Sequence, residues 1–333
     1  MKARAKIRKE SVARAAGVEL RVAVLPLLEV MHSRRSFLKQ AVCAAGVSPL
    51  PGQEATFSSD VKIVSVLATV RTKTGEIVQD LTKDEFLVSE AGRPQKIRYF
   101  SRETDLPLVL GLLVDTSGSQ RNVLGEEQEA SYRFLDKVLR EDVDRTFVVH
   151  FDYRAEVLQN MTISKLMLQK ALDRLNVNGR GGTTLYDAVY LCSNLVTKKE
   201  TGRKALIVLT DGEDNGSRTT LEDAIAAAQR ADTLVYSILF EDPRATGRRF
   251  GPDGKSVLRK LSKETGGGFF EVSRKRPLDA IYGQLQEELR NQYSFGYTPA
   301  DSAGKGFRPI KVETVRKGLV VQARSGYYPD GSR

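Results

Sequence analysis

The stretch Leu108-Val109-Leu110-Gly111-Leu112-Leu113-Val114 has no polar side chain and leads directly into Asp115-Thr116-Ser117-Gly118-Ser119. A continuous apolar run of this length predicts a strand that is buried on both faces, as in the middle of a parallel sheet. The polar segment then places a carboxylate, Asp115, and two hydroxyls, Ser117 and Ser119, in a glycine-containing turn before a helix. Ligands of open α/β sheets bind at the carboxyl ends of the strands. The sequence therefore predicts a binding site at this strand end.

The chain from residue 104 to residue 290 repeats this alternation of apolar strands and amphipathic helices. Further strands are predicted at 146–151, 155–159, 205–210, 234–240 and 268–272, and helices at 126–140, 164–175, 185–197, 221–231, 255–264 and 277–291. Helices between buried strands supply the crossover connections of a parallel sheet. We predict a doubly wound, Rossmann-like α/β domain, with a mostly parallel sheet and helices on both faces.

Two β-like segments flank this domain, at residues 56–103 and 291–333. Each contains short alternating runs separated by turn residues, such as 61–70 in the first and 293–297 in the second. Neither segment is long enough to bury a core by itself. We therefore predict that the two flanks pair into a small β-sandwich and that the α/β domain is inserted between them.

Residues 1–55 are predicted to be a leader. Ser33-Arg34-Arg35-Ser36-Phe37-Leu38-Lys39 is followed by the mildly apolar residues 40–50. This pattern resembles a twin-arginine export signal, with Arg34 and Arg35 as the pair and Met31 as the predicted start. We expect export to the periplasm, the extracellular space or the cell envelope of a bacterium. A chance arginine pair in a basic segment is the alternative.

The net charge of +10 is concentrated in that leader. Residues 1–55 hold ten Lys and Arg against four Asp and Glu, which leaves +4 for residues 56–333. This distribution does not indicate a phosphate-binding surface, so no nucleic-acid partner is predicted. The chain has no run of 18 apolar residues, and we expect no transmembrane segment in the mature chain. Cys43 and Cys192 cannot form a disulfide framework, and Cys192 is predicted to be buried.

Oxygen-bearing side chains recur at two later positions. Gly181-Gly182-Thr183-Thr184 precedes a predicted helix, and the strand 205–209 is followed by Thr210-Asp211. Ligands that are all oxygens suit a hard cation such as Mg²⁺, which prefers six of them. Because Asp115 and the two serine hydroxyls are too few, the later residues are candidates to complete the site.

These three elements, in this order, resemble the metal-ion-dependent adhesion site (MIDAS) of von Willebrand factor type A (VWA) domains. The resemblance implies that Ser117 and Ser119 are direct hydroxyl ligands. It also implies that Asp115 and Asp211 mostly hold metal-bound water, and that Thr183 changes its contact when the site switches. The implied cofactor is Mg²⁺, with Mn²⁺ or Ca²⁺ as alternatives.

The flanks resemble a bacterial family called von Willebrand factor A-related acidobacterial proteins. The residues that carry this resemblance are 75–86, 90–97, 99–100, 289–297 and 324–328, and it covers nearly all of residues 60–329. The resemblance has implications for architecture and export more than for activity. Within the site, Gln120 stands where VWA domains often have Met, outside the implied ligand set.

The implied function is metal-ion-dependent protein binding of the adhesion type, without enzymatic activity. An Asp or Glu carboxylate of a protein partner would fill the open position of the cation. One alternative is a structural assembly module with a purely structural metal. A remote one is a Mg²⁺-dependent phosphoryl-transfer enzyme, which needs a second Asp where Ser117 stands. A serine hydrolase lacks a convincing base, since His150 lies within an apolar strand.

Overall fold

The computed structural model describes residues 63–103, 106–140, 142–177, 181–240, 253–299 and 306–329. The arginine pair Arg34 and Arg35 and the predicted start at Met31 lie outside these residues. Residues Lys62–Arg333 form one compact unit. No helix in the described part of the chain is both long enough and apolar enough to cross a membrane.

The described elements follow the predicted alternation closely. In chain order, the strands are β1 (Val64–Thr72), β2 (Phe86–Glu90), β3 (Arg93–Gln95), β4 (Ile97–Glu103), β5 (Leu108–Asp115), β6 (Arg145–Phe151), β7 (Ala155–Thr162), β8 (Arg203–Thr210), β9 (Thr233–Leu239), β10 (Phe269–Glu271), β11 (Gln292–Tyr297), β12 (Arg308–Thr314), β13 (Leu319–Ala323) and β14 (Gly326–Tyr327). The α-helices are α1 (Leu124–Val138), α2 (Lys165–Leu172), α3 (Leu185–Leu191), α4 (Leu221–Arg230), α5 (Gly254–Thr265) and α6 (Leu278–Arg290). A π-helical turn, Cys192–Val196, continues α3.

The central sheet has six strands in the order β10-β9-β8-β5-β6-β7. All neighbours are parallel except β7, which pairs antiparallel with β6 at one edge. Helices α1, α2 and α6 pack on one face, and α3, α4 and α5 pack on the other. Every residue of β5 and of β8 is buried, because helices cover both faces of the middle strands. The predicted doubly wound α/β fold is confirmed.

Gly111 explains how the middle of this sheet packs so closely. A Cβ atom at this position would lie 2.4 Å from Cζ of Phe147 and 2.5 Å from Cδ2 of Leu206, on the neighbouring strands β6 and β8. These two large side chains therefore occupy the space above a glycine. The close packing of these strands therefore requires glycine at position 111.

The flanks form two antiparallel sheets, with strand orders β13-β1-β11-β4 and β14-β12-β2-β3. Strands from before and after the α/β domain pair directly: Val66 lies opposite Phe295, and Val88 lies opposite Val312. Side chains of both sheets share one apolar core, so the sheets form a β-sandwich. Four aromatic residues of the second flank lie in this core: Tyr293, Phe295, Tyr297 and Tyr327.

A tight hairpin joins β2 and β3, which pair antiparallel. Ala91 and Gly92 both have positive φ angles, 49° and 79°, as a two-residue hairpin turn requires. Residues 62–333 form one compact unit, so the boundaries at residues 104 and 291 stay predictions.

Candidate metal site

The site lies where two neighbouring central strands end. β5 and β8 run parallel in a register that places Val114 beside Leu209. Asp115 and the Thr210-Asp211 pair consequently leave the sheet at the same carboxyl edge. Asp115 and Asp211 are both buried, with exposed fractions of 0% and 4%. The structure thus brings together two carboxylates that are almost a hundred residues apart in the chain.

The Asp-Thr-Ser-Gly-Ser segment folds back on its own carboxylate. The amide of Ser117 donates a 2.8 Å hydrogen bond to Oδ1 of Asp115, and the hydroxyls of Ser117 and Ser119 lie 3.0 Å apart. A single 3₁₀ turn, Gly118–Gln120, then leads towards α1. The local sequence is therefore sufficient to gather a carboxylate and two hydroxyls.

Thr210 joins the two strand ends, and it was not among the predicted site residues. Its hydroxyl donates a 2.6 Å hydrogen bond to Oδ2 of Asp115 and accepts the amide of Gly212 at 3.1 Å. The amide of Glu213 in turn donates to Oδ1 of Asp211 at 3.1 Å. The position of Thr210 immediately before Asp211 was the one sequence signal that could have identified this residue.

Thr183 lies in a loop that is hydrogen-bonded to the loop after Asp211. The amide of Thr183 donates to Oδ1 of Asn215 at 2.8 Å, and its carbonyl accepts the amides of Asn215 and Gly216. These bonds fasten the Gly-Gly-Thr loop to the loop that follows Asp211. The Thr183 side chain is buried, but no hydrogen bond joins it to the other four candidate ligands. The structure therefore brings the Thr183 loop beside the loop of Asp211.

Asp214, in that second loop, has a scaffolding role. Its carboxylate accepts the amide of Tyr186 at 3.0 Å and the amide and hydroxyl of Ser217. These contacts fix the loop after β8 to the amino terminus of α3. Its oxygens are consequently engaged in holding two loops together.

The electrostatics of the site favour a cation. Burial, followed by the charge of Asp211, raises the pKa of the Asp115 carboxyl to about 7, although hydrogen bonds from Ser117 and Thr210 oppose the shift. Burial also raises the pKa of Glu127, in the first turn of α1, well above its usual value, with Asp115 and Asp211 as further causes. A positive charge between these groups would relieve both effects.

The donor set fits a hard divalent cation. Asp115 and Asp211 offer carboxylate oxygens, and Ser117, Ser119 and Thr183 offer hydroxyls, which are the donor types that Mg²⁺ and Ca²⁺ prefer. No three His, Cys, Asp or Glu side chains of the described residues are close enough to hold a metal by themselves. A cation here would need the hydroxyls.

A threonine, a histidine and a glutamate form a chain beside the site. The hydroxyl of Thr116 lies 3.0 Å from Nδ1 of His150, whose Nε2 lies 3.3 Å from Oε2 of Glu156. This order of groups is that of a nucleophile, a base and an orienting acid. Thr116 is completely buried, however, and the hydroxyl of Ser117 is paired with Ser119. These hydrogen bonds hold β6 against the loop of Ser117 and Ser119, and they do not activate an accessible hydroxyl.

A parallel α/β sheet that carries aspartates and paired hydroxyls at its carboxyl edge defines a class of domain built around an oxygen-ligand site. The chain belongs to the von Willebrand factor type A domain family, whose sequence model matches residues 110–284. Domains of this family are generally interaction modules rather than enzymes, and they typically bind a divalent metal.

Individual relatives are more distant. A curated relative, calcium-activated chloride channel regulator 3A-1 of Mus musculus, is 28% identical over 173 residues, which span 50% of this chain and 17% of that protein. The mussel byssus proximal thread matrix protein 1, solved with a zinc-occupied MIDAS motif, is 18% identical with a TM-score of 0.47, covering 60% of this chain and 49% of that one. The vWF domain of the Porphyromonas gingivalis pilus tip protein Mfa5 is 13% identical with a TM-score of 0.44, covering 55% and 95%.

Proposed function

We propose that this VWA domain binds a protein partner through a divalent cation of the Mg²⁺ type held at its MIDAS residues. Asp115, Ser117, Ser119, Thr183 and Asp211 would hold the ion. The observation that carries the proposal is the buried pair Asp115 and Asp211 at adjacent strand ends, beside two hydroxyls 3.0 Å apart. Two buried carboxylates that repel each other are costly in their ionised form, and a cation between them offsets that cost.

The ligand types determine the chemistry of such a site. When bound, a divalent cation coordinated by neutral hydroxyls stays strongly electrophilic and accepts an anionic oxygen from outside the domain. Ser117 and Ser119 add no negative charge, and Thr210 holds one oxygen of Asp115 by a hydrogen bond. The partner group that fits is a carboxylate, supplied by an Asp or Glu side chain.

The same features favour binding over catalysis. The hydroxyl beside the His150 ring, that of Thr116, is enclosed in the protein, and the family consists generally of non-enzymatic modules. We propose that the chain has no enzymatic activity. The residue pattern at Arg34 and Arg35 supports export to the periplasm, the cell envelope or the extracellular space.

The proposal is tested by binding of carboxylate-bearing protein fragments to the full chain in Mg²⁺ and in chelator. We expect binding in Mg²⁺ only, and loss of binding in Asp115→Ala and in Thr183→Ala. Thr201→Ala, which removes a hydroxyl from an exposed loop residue before β8, is the matched control and should bind like the wild type.

A replacement of the partner's carboxylate by an amide should abolish binding as well. If Mg²⁺ raises the unfolding temperature of the wild type but no carboxylate ligand binds in its presence, the ion is purely structural and the binding proposal is wrong. If Mg²⁺ has no effect on unfolding and none on ligand binding, the metal site itself is wrong.

A further inference from the structure

Glu127 is a buried carboxylate that the five proposed ligands leave unused. It lies in the first turn of α1, on the helix face that packs against the sheet, and its exposed fraction is 0%. Neither of its carboxylate oxygens has a hydrogen-bond partner among the described residues. A buried charge without a partner is costly, and proteins retain one where a cation or ordered water satisfies it.

The groups around Glu127 connect it with the metal site. Apart from burial, the groups that raise its pKa are Asp115, Asp211 and Glu126, all of them carboxylates. Asp115 and Asp211 are the two proposed ligand carboxylates. Glu127 therefore adds a third carboxyl group to the electrostatic environment of the site, and no Lys or Arg of the described residues lowers its pKa.

Direct coordination by all three carboxylates does not fit the geometry. Among the described residues, no three acidic, His or Cys side chains are close enough together to hold one ion. Glu127 therefore does not share one ion directly with both aspartates. A carboxylate at a longer distance acts on a cation through the water molecules that the cation carries.

Gln120 supplies a second unpaired acceptor in the same region. It is completely buried, its Oε1 has no hydrogen-bond partner among the described residues, and its Nε2 lies 3.4 Å from the hydroxyl of Ser119. The amide of Val123 donates to the carbonyl of Gln120, and the amide of Glu127 donates to the carbonyl of Val123. Gln120 and Glu127 therefore lie on successive turns of one continuous segment. Two buried acceptors thus follow the second serine ligand.

We infer that Glu127 is an outer-sphere carboxylate of the cation site, which accepts hydrogen bonds from cation-bound water together with Oε1 of Gln120. The inference rests on the proposed function, because it requires a cation at Asp115 and the serine hydroxyls. Glu127 is a positioning residue: as a carboxylate it strengthens cation binding, and its burial without a hydrogen-bond partner destabilises the metal-free protein.

The test compares the full-length wild type with Glu127→Gln and Glu126→Gln. Calorimetric titration measures the affinity for Mg²⁺, and thermal unfolding is followed in chelator and in Mg²⁺. We expect Glu127→Gln to bind Mg²⁺ about tenfold more weakly or worse, as for other groups that act through bound water. In chelator it should unfold at a higher temperature than the wild type, because a carboxyl group that is costly to bury has been removed. The exposed Glu126 should have neither effect.

The outcomes separate this inference from the proposed function. If the wild type binds Mg²⁺ and Glu127→Gln binds it equally well, the role of Glu127 is wrong and the metal site stands. If the wild type binds no Mg²⁺, the proposed function is wrong, and this inference is wrong as well. Glu127→Met, which also removes the charge, provides a second variant, and wild-type Mg²⁺ affinity in either folded variant overturns the inference.

Discussion

The hydroxyl of Thr210 donates a 2.6 Å hydrogen bond to Oδ2 of Asp115, and this bond joins the carboxyl ends of β5 and β8. Both residues are completely buried. The bond restricts the orientation of the Asp115 carboxylate, whose other oxygen accepts the amide of Ser117. The proposed metal ligand is thus oriented by a residue from a neighbouring strand.

Thr210→Val should test the importance of this bond. The substitution keeps the side-chain shape and removes the donor, so we expect a loss of about 1–3 kcal/mol in the free energy of unfolding. Mg²⁺ binding should weaken as well, because Asp115 is no longer held in place. Urea unfolding and Mg²⁺ titration measure the two effects. Thr314→Val, which removes an exposed hydroxyl from β12, is the control, and an equal loss there would argue against a specific role of Thr210.

The stability of the metal-free protein should depend on pH through Asp115. The pKa of its carboxyl is about 7 in the folded protein against an ordinary value of 3.8. The folded state therefore binds the proton more tightly, and this contribution is fully present below pH 3.8 and is lost as the pH rises through 7. In chelator, we expect the wild type to gain about 2–3 kcal/mol relative to Asp115→Asn between pH 8 and pH 5.

Mg²⁺ should reverse this dependence, because the cation binds the deprotonated carboxylate. Denaturant unfolding at several pH values, with chelator and with Mg²⁺, gives both curves. A wild-type curve in chelator that runs parallel to the Asp115→Asn curve from pH 5 to pH 8 would contradict the prediction.

Gly254 should be essential for the position of Asp211. A Cβ atom at Gly254, the first residue of α5, would lie 2.3 Å from the carbonyl oxygen of Asp211, and one at Gly212 would lie 2.5 Å from the carbonyl oxygen of Gly254. The atoms that an added Cβ would meet are backbone atoms, which cannot move away as a flexible side chain could. Gly254→Ala should destabilise the protein by roughly 1–3 kcal/mol and reduce the Mg²⁺-induced rise in unfolding temperature.

Gly125 is the matched control for this substitution. It also lies in the first turn of a helix, α1, but a Cβ atom there would have no atom within 4 Å. Gly125→Ala should be neutral or stabilising by up to about 1 kcal/mol. If both alanine variants unfold alike, the close approach at Gly254 does not constrain the site.

The ion pair between the half-buried Arg71 and the buried Glu288 should couple the β-sandwich to the α/β domain. Arg71 belongs to β1 and Glu288 to α6, which continues directly into β11. Burial raises the pKa of the Glu288 carboxyl although Arg71 opposes the shift. Arg71→Met should cost about 3–5 kcal/mol, because it leaves Glu288 buried without its partner.

The double variant Arg71→Met/Glu288→Gln should recover most of that loss, since it removes the isolated charge. Arg133→Met breaks an exposed pair with Asp279 on α6 and should cost about 1 kcal/mol or less. Chemical unfolding gives all of these free energies. Equal losses of unfolding free energy in Arg71→Met and Arg133→Met would mean that the pair of Arg71 and Glu288 contributes no more to stability than an exposed pair.

The local parts of the fold and site could be predicted because their signals are local. The apolar run from Leu108 to Val114 can only be a strand covered on both sides, and the turn after it gathers Asp115, Ser117 and Ser119 within five residues. Asp211 and Thr183 were candidates because of their positions beside a predicted strand and a predicted helix, and only the family resemblance implied their roles. The number of residues between two loops does not show whether they lie close together in the folded protein.

Thr210 and Glu127 were missed for physical reasons that the sequence does not reveal. Thr210 looks like any β-branched residue at the end of a strand, and its role depends on the register that sets β8 beside β5. Glu127 belongs to a run of acidic residues that is typical of a solvated helix face. Its burial depends on how α1 and α6 pack over the sheet.

The sequence by itself determined the alternation of buried strands and helices, because hydrophobic periodicity acts within a few residues. It also determined the carboxylate and hydroxyls of the first turn. Only the tertiary structure decided which carboxylates share a buried site and how the flanks join through β1 and β11. The electrostatic environment of a group depends on every neighbour in space, and parallel strand order and helix packing bring those neighbours from distant parts of the chain.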